Sequence, residues 1–267
     1  MVEYKTVTDK SYKKKLKDEF QSFFKSVYDR ELSDIDWEHY FVNSPYEDSA
    51  LFLAIDKEKI IGSALMIPQN FYSENYEGKY YLWTTSAIKK EYRSQGIYAE
   101  LLKMQREYAK DKKKDFIFAF PNKLAYPVVK LFGGFKDLYK VNLVKASITD
   151  LKLQDIDNSL LIDSEFFKWR FEHKDYLFYK LDDNIIISKK FEDTLDVLAI
   201  YKKETFENIN FKIESGSIPC SINTIKTFLK ENSVSEVLNT LNGTYFPINR
   251  NIDYSSIKLN LLMSDVF

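Results

Sequence analysis

Apolar residues recur along this chain at two periods, close to 3.6 and 2, and the two alternate in a way that predicts a mixed α/β architecture. From Lys13 to Tyr28, Leu16, Phe20, Phe23, Phe24 and Val27 fall on one side of a helix with lysines opposite. Ser33 to Phe41 predicts a short second helix, with Ser33 as its cap and Asp36 completing an imperfect capping box. Asn43-Ser44-Pro45-Tyr46 stops it. Ala50–Ile55 and Lys59–Pro68 read as a hairpin around Asp56-Lys57-Glu58, and the polar run Asn70 to Lys79 as a loop. Tyr80–Ile88 is a strand rich in aromatic and β-branched residues. After the polar turn Lys89–Gly96, a helix runs from Ile97 to about Lys113, with Ile97, Leu101, Leu102, Met104, Tyr108 and Ala109 at helical spacing. Phe116–Phe120 is a second strand, closed by Pro121-Asn122, and a short helix leads to Gly133-Gly134-Phe135.

The pattern changes after Val144. Asp150 to Asp163 is polar with scattered leucines and reads as a linker. A helix capped by Ser164 runs to His173, followed by strands at Tyr176–Leu181, Asn184–Phe191 and Leu195–Tyr201. Then come a helix at Ser221–Glu231, a strand near Val234–Leu241 and a last strand at Ile257–Met263. Asn242-Gly243-Thr244 has the form of a glycosylation acceptor but suits a turn. The expected division is 1–148 and 149–267.

The chemistry concentrates at Arg93-Ser94-Gln95-Gly96, where a strand hands over to a helix. The first amides of a helix have no partner within it and lie at the positive end of its dipole, which suits an anion. Gly96 allows close approach of backbone, and Arg93 adds a fixed positive charge. A pyrophosphate fits such a turn.

Arg93-Ser94-Gln95-Gly96-Ile97-Tyr98 resembles the acetyl-CoA pyrophosphate loop of the GNAT N-acetyltransferase superfamily, [Q/R]-x-x-G-x-[G/A], with Tyr98 in place of the small residue. The preceding strand, the following helix, the strand ending in Pro121-Asn122 and Gly134-Phe135 extend the resemblance over about Leu51 to Val144. It implies a GNAT fold, acetyl-CoA as acyl donor, and a cofactor site of Ala87, Ile88, Arg93, Ser94, Gln95, Gly96, Ile97, Tyr98 and Asn122. The family places a tyrosine seven residues after the asparagine, where this chain has Val129. Tyr126 is then the expected hydrogen-bond donor to the leaving thiolate, unless it serves packing. The order of elements after residue 149 resembles a second, degenerate GNAT-like half. Tandem acetyltransferases of this kind accompany surface-polysaccharide biosynthesis, which implies an aminosugar or nucleotide-linked aminosugar as acceptor.

Composition narrows the alternatives. Basic and acidic residues nearly cancel, 39 against 40, which argues against a general nucleic-acid binder. One cysteine, Cys220, and two histidines, His39 and His173, make an internal disulfide impossible and a metal site improbable. No apolar run is long enough for a membrane span, and the start is no signal peptide, so a cytoplasmic protein, monomer or homodimer, is expected. Glu47, Asp48, His39, a water chain and the carboxylate of Phe267 are candidates for the base. The competing expectation is a lapsed enzyme that binds a CoA thioester or a partner without turnover.

Overall fold

A computed structural model describes residues 1–73, 76–154, 158–172, 175–191, 194–249 and 251–258. In chain order its elements are β1 (Glu3–Val7), α1 (Lys10–Tyr28), α2 (Asp34–Asp36), β2 (Ala50–Asp56), β3 (Lys59–Ser73), β4 (Tyr76–Ile88), α3 (Ile97–Asp111), β5 (Phe116–Ala119) and α4 (Ala125–Leu131). There follow β6 (Lys136–Ser147), α5 (Ser164–Phe171), β7 (Tyr176–Leu181), β8 (Asn184–Phe191), β9 (Thr194–Lys202), β10 (Ser221–Ile225) and β11 (Glu236–Pro247). This is the mixed α/β fold expected from the sequence. Two compact units interleave along the chain: the first takes Met1–Asn70, Gly78–Asp137 and Thr244–Ile252, the second the other described residues. The linear division at 148 and 149 therefore does not coincide with the compact units, since most of β6 belongs to the second and the end of β11 to the first.

In the first unit the strands lie in the order β1-β2-β3-β4-β5, followed by the end of β11. β1, β2 and β3 are antiparallel neighbours, β4 and β5 are parallel, and Thr244–Pro247 runs antiparallel to β5. Lys57 and Glu58 turn the β2–β3 hairpin with φ of 48° and 62°, the mirror-image turn that matches strand twist. Alternate residues divide the sheet into two buried faces. On one, Phe52, Ala64, Tyr81, Trp83 and Ile117 meet Ile97, Leu101 and Leu102 of α3 and Val129 of α4. On the other, Leu51, Leu65, Tyr80, Leu82, Phe116 and Phe118 are buried, with Tyr80 stacked on Phe116 at 4.8 Å.

Helix α1 starts at Asp9, whose carboxylate accepts from the Tyr12 amide at 2.7 Å. Its Phe20 ring sits 5.1 Å from Trp37 and 4.8 Å from Phe41. The second helix expected at Ser33–Phe41 is a single α turn, capped by Ser33, that widens into a π turn over Trp37–Val42. Five of those six residues are buried, and the wider turn lets consecutive side chains enter the core. The loop expected at Asn70–Lys79 is instead largely strand: β3 runs to Ser73 and β4 begins at Tyr76. The Tyr72 amide donates to the Ser159 carbonyl at 2.7 Å, a distant pairing that local polarity conceals.

In the second unit the strand order is β6-β10-β9-β8-β7, with β10 antiparallel to β6 and parallel to β9. The helix expected at Ser221–Glu231 is β10 followed by a 3₁₀ turn at Lys226–Phe228. β-branched Ile222, Thr224 and Ile225 are all buried there, and the pairing with β6 overrides helical spacing. Asn242-Gly243-Thr244 lies within β11 rather than in a turn, and Thr244 pairs with Ala119. The cap of α5 is Asp163, accepting from the Phe166 amide at 2.8 Å, rather than Ser164. His173 lies outside the described residues, as does all of the expected last strand beyond Lys258; Tyr254–Ser256 form a 3₁₀ turn just before it. Phe167, Phe178, Phe206 and Phe211 pack together, with ring separations from 5.0 to 6.2 Å.

Candidate active site

The β4–β5 ladder is short. It pairs Tyr80 with Phe116 and ends at Trp83 opposite Ala119, where β5 stops. β4 continues to Ile88, so Thr84–Ile88 run past the last rung of that ladder. Thr85 has φ of 50°, which kinks β4 just beyond the parting. On its far side the strand stays anchored: the Lys89 amide donates to the Ile61 carbonyl at 2.9 Å. Pro121, in the segment that leaves β5, has no N–H to offer.

Ala87 is buried and Ile88 half-buried at the end of β4. A Cβ on Gly62 of β3 would lie 2.6 Å from Ile88 Cδ1 and 3.3 Å from Ile97 Cγ2, so a glycine is what lets strand end and helix start settle there. Tyr28 at the end of α1 donates its hydroxyl to the Ser86 carbonyl at 2.9 Å. Burial pushes the Tyr28 phenol up to about 12, so it stays a donor.

Next comes the turn. Lys90–Tyr92 form one turn of 3₁₀ helix, and Ser94 and Gly96 both take positive φ, 64° and 76°. Arg93, Ser94, Gln95 and Gly96 are exposed, while Ile97 is anchored in the core. The first bond within α3 joins the Glu100 amide to the Gly96 carbonyl at 3.1 Å, which leaves the amides of Ile97, Tyr98 and Ala99 ahead of the helical ladder. No side chain caps this end, and a Cβ on Gly96 would meet no atom within 4 Å. Amides without a helical partner thus lie at a helix start beside the open side of Gly96, an arrangement suited to an anion. Arg93 Nε donates to the Ile88 carbonyl at 3.2 Å, tying the turn to the end of β4.

Tyr98 turns inward. Its ring lies 6.0 Å from that of Trp83, and three polar atoms in this corner, Trp83 Nε1, Ser86 Oγ and Tyr98 Oη, are buried without a hydrogen-bond partner. Burial pushes the Tyr98 phenol well above its ordinary value; the Ser86 hydroxyl is close enough to pull the other way without the geometry of a bond. Unmet buried polar groups cost about 1–3 kcal/mol each.

Asn122 caps the approach to α4, its Oδ1 accepting from the Leu124 and Ala125 amides at 3.0 and 2.9 Å. Val129 is wholly buried in the core. Tyr126 donates its hydroxyl to Asp137 at 2.7 Å, and Lys130 contacts the same carboxylate at 2.8 Å. The Asp137 bond raises the Tyr126 phenol above its ordinary value. To serve a thiolate, Tyr126 would have to leave a carboxylate.

Two of the base candidates lie toward the closed end of the sheet. Glu47 pairs with Lys114, just before β5 begins, and Lys114 Nζ sits 4.8 Å over the Tyr81 ring. Asp48 pairs with Lys10 at 3.3 Å. His39 is buried edge-on against Tyr40 at 4.4 Å, and Phe267 lies outside the described residues. Among the described residues no cluster of His, Cys, Asp or Glu could hold a metal, and no helix is long and apolar enough to cross a membrane.

Two strands that part at a kinked edge therefore lie beside the uncapped start of a helix. The chain carries an acetyltransferase (GNAT) domain: residues 9–134 match that family model. It is a GNAT-type acyltransferase, a class that takes acetyl-CoA as donor. Solved structures share the fold at low identity. A conserved protein from Enterococcus faecalis V583, described as a probable N-acyltransferase, aligns over 93% of this chain and 73% of its own, with 10% identity and a TM-score of 0.64. A GCN5-related N-acetyltransferase from Kribbella flavida aligns over 93% and 72%, with 10% identity and a TM-score of 0.63. Eis1 from Mycobacterium abscessus aligns over 93% and 74%, with 8% identity and a TM-score of 0.60. No curated protein matches the sequence.

Sequence reasoning picked out the turn and the strand end. It missed Gly62, whose small size matters only once Ile88 and Ile97 are placed over it, and it missed the polar corner of Trp83, Ser86 and Tyr98. The one signal for that corner was a large residue, Tyr98, where the loop pattern has a small one.

Proposed function

We infer that the chain transfers an acetyl group from acetyl-CoA to the amine of a small acceptor, of which an aminosugar or nucleotide-linked aminosugar is the favoured class. The observation that carries this reading is the β4–β5 ladder ending at Trp83 and Ala119 beside the uncapped start of α3. Acetyl-CoA supplies the activated acetyl group. The amides of Ile97 and Tyr98, the turn Arg93-Ser94-Gln95-Gly96 and the Arg93 guanidinium hold its diphosphate. Backbone groups of Ala87 and Ile88 pair with the pantetheine arm as a strand would, and Asn122 lies at the opposite wall. An amide of the kinked β4 end polarises the thioester carbonyl. Tyr126 remains a candidate donor to the sulfur, provided it exchanges Asp137 for that role.

The second compact unit is read as a degenerate GNAT-like half. Its β9 and β10 form a parallel pair, as β4 and β5 do, yet Lys203–Cys220 between them contains a 3₁₀ turn and no α-helix to receive a diphosphate. A cytoplasmic enzyme, monomeric or homodimeric, accords with the donor.

The test joins a binding measurement to a thiol-release assay over a panel of aminosugars, nucleotide-linked aminosugars, polyamines and amino acids. Saturable acetyl-CoA binding with acceptor-dependent release is the expected result. Binding without release on any amine supports the alternative, a lapsed enzyme, which the buried Val129 and the engaged Tyr126 favour.

A further inference from the structure

Helix α4 carries an apolar side that the core does not use. Its backbone is helical from Leu124 to Phe132, since the residues at both ends lie in the right-handed region. Positions 124, 127, 131 and 132 therefore share one side. They hold Leu124, Pro127, Leu131 and Phe132, and all four are exposed. Leu124 is 80% exposed, Leu131 77% and Phe132 60%, while Val129 is buried in the core. This exposure is built into the end of the helix and is not fraying. The Phe132 amide donates to the Val128 carbonyl at 2.9 Å, and Arg106 donates to the Phe132 and Gly133 carbonyls at 3.4 and 3.0 Å. Gly133 sits so close beneath that a Cβ there would stand 2.5 Å from the Val129 carbonyl oxygen. Single exposed leucines are ordinary, whereas large apolar side chains grouped on one side mark a contact surface.

Charge indicates what covers it. Residues 121–137 hold three lysines, Lys123, Lys130 and Lys136, against one acid, Asp137, in a chain whose charges nearly cancel. Lys123 and Lys130 are seven residues apart and flank the apolar side together. Lys130 shares its charge with Asp137, while Lys123 and Lys136 are exposed. A second copy meeting this surface face to face would set lysine against lysine. A stable protein interface takes roughly 800 Å² from each partner, well beyond three side chains on a short helix. An anionic lipid surface needs no matching shape. Apolar side chains enter the boundary between headgroups and acyl chains, and lysines stay among the phosphates.

We propose that α4 docks the protein on an anionic membrane surface, with Leu124, Leu131 and Phe132 inserted and Lys123 and Lys136 at the headgroups. The protein lies on the surface and does not cross it; among the described residues no helix is long and apolar enough to do so. None of these five side chains belongs to the donor site proposed above, so the two readings stand or fall separately.

The test is sedimentation of the full chain with vesicles of phosphatidylcholine alone and of phosphatidylcholine with added phosphatidylglycerol, at physiological salt. Sedimentation with the anionic vesicles only is expected. Leu131→Ser with Phe132→Ser should lower the partition coefficient about tenfold or more, and Lys123→Gln with Lys136→Gln by a similar factor. Circular dichroism verifies the fold, and Leu124→Gln, at the other end of the stripe, gives the same reading if the serine pair fails to fold. No sedimentation with anionic vesicles overturns the proposal, as does equal sedimentation with neutral ones. Unchanged partition in either pair of variants overturns it too. Light scattering without lipid addresses the remaining occupant: a wild-type dimer that the serine pair converts to monomer overturns membrane docking in favour of a second copy.

Discussion

Gly62 lies against Ile88 so closely that a Cβ on the glycine would stand 2.6 Å from Ile88 Cδ1. The strand end proposed to pair with the cofactor arm therefore rests on a residue of β3 chosen for its lack of a side chain. Gly62→Ala should displace Ile88 and weaken acetyl-CoA about fivefold, with a stability loss of about 1–3 kcal/mol. Adding Ile88→Val, which removes the offending Cδ1, should recover most of both. Calorimetric affinities and urea unfolding of the two single variants and the double variant measure the coupling; simple additivity would show that the contact does not matter.

Gly96 combines a left-handed φ of 76° with empty space where a Cβ would stand. Gly96→Ala should lose about 1 kcal/mol of stability from backbone strain while still admitting the diphosphate. Gly96→Trp should abolish acetyl-CoA binding, because the indole would occupy the open turn. Binding by the Trp variant at wild-type affinity would disprove the turn as the diphosphate site.

Arg93 Nε holds the Ile88 carbonyl at 3.2 Å, a contact to be separated from its proposed hold on phosphate. Arg93→Ala should weaken CoA about tenfold and weaken pantetheine fragments without phosphate much less. Equal losses for both ligands would mean that Arg93 acts only through the strand end.

Lys114 is 5% exposed and depends on Glu47 for its counter-charge. Glu47→Gln should lower stability by roughly 1–3 kcal/mol, less than a fully enclosed pair because Glu47 itself is partly in water. With an acceptor in hand, kcat should change less than about twofold, since removing a general base costs about 100-fold or more. A large kcat loss at unchanged stability would restore Glu47 as the base.

Lys13 is wholly buried, with its Nζ bonded to the Ser49 carbonyl and hydroxyl, and burial lowers its ammonium from 10.5 to about 8. The folded value lies below the unfolded one, so between them the unfolded chain holds more protons and stability rises with pH. The contribution is absent below about pH 8 and grows toward about pH 10, on the order of 2–3 kcal/mol. Lys13→Met should flatten this part of the pH–stability curve. Parallel curves for the two proteins would show that Lys13 keeps its ordinary titration.

The sequence exposed those parts of the molecule whose rules are local. Helical spacing located α1 and α3, and the Arg93–Gly96 turn stood out through a glycine, an arginine and a following helix. What it concealed depends on distant partners. Ser221–Ile225 looks helical until β6 and β9 flank it, and Asn242-Gly243 looks like a turn until Thr244 is laid against Ala119. Site residues divide the same way. As candidates, Arg93 and Gly96 are readable by type, whereas the tight contact of Gly62 shows only once Ile88 is placed over it.

The rung between Thr244 and Ala119 also bears on how the molecule is made. The cleft strand β5 has four residues, and its free edge stays bare until residues more than a hundred positions later emerge from the ribosome. Synthesis must therefore pass Pro247 before β5 can be paired on both of its edges. A fragment cut after Ser147 would carry every proposed donor contact and still present an unsatisfied edge, inviting self-association in place of activity.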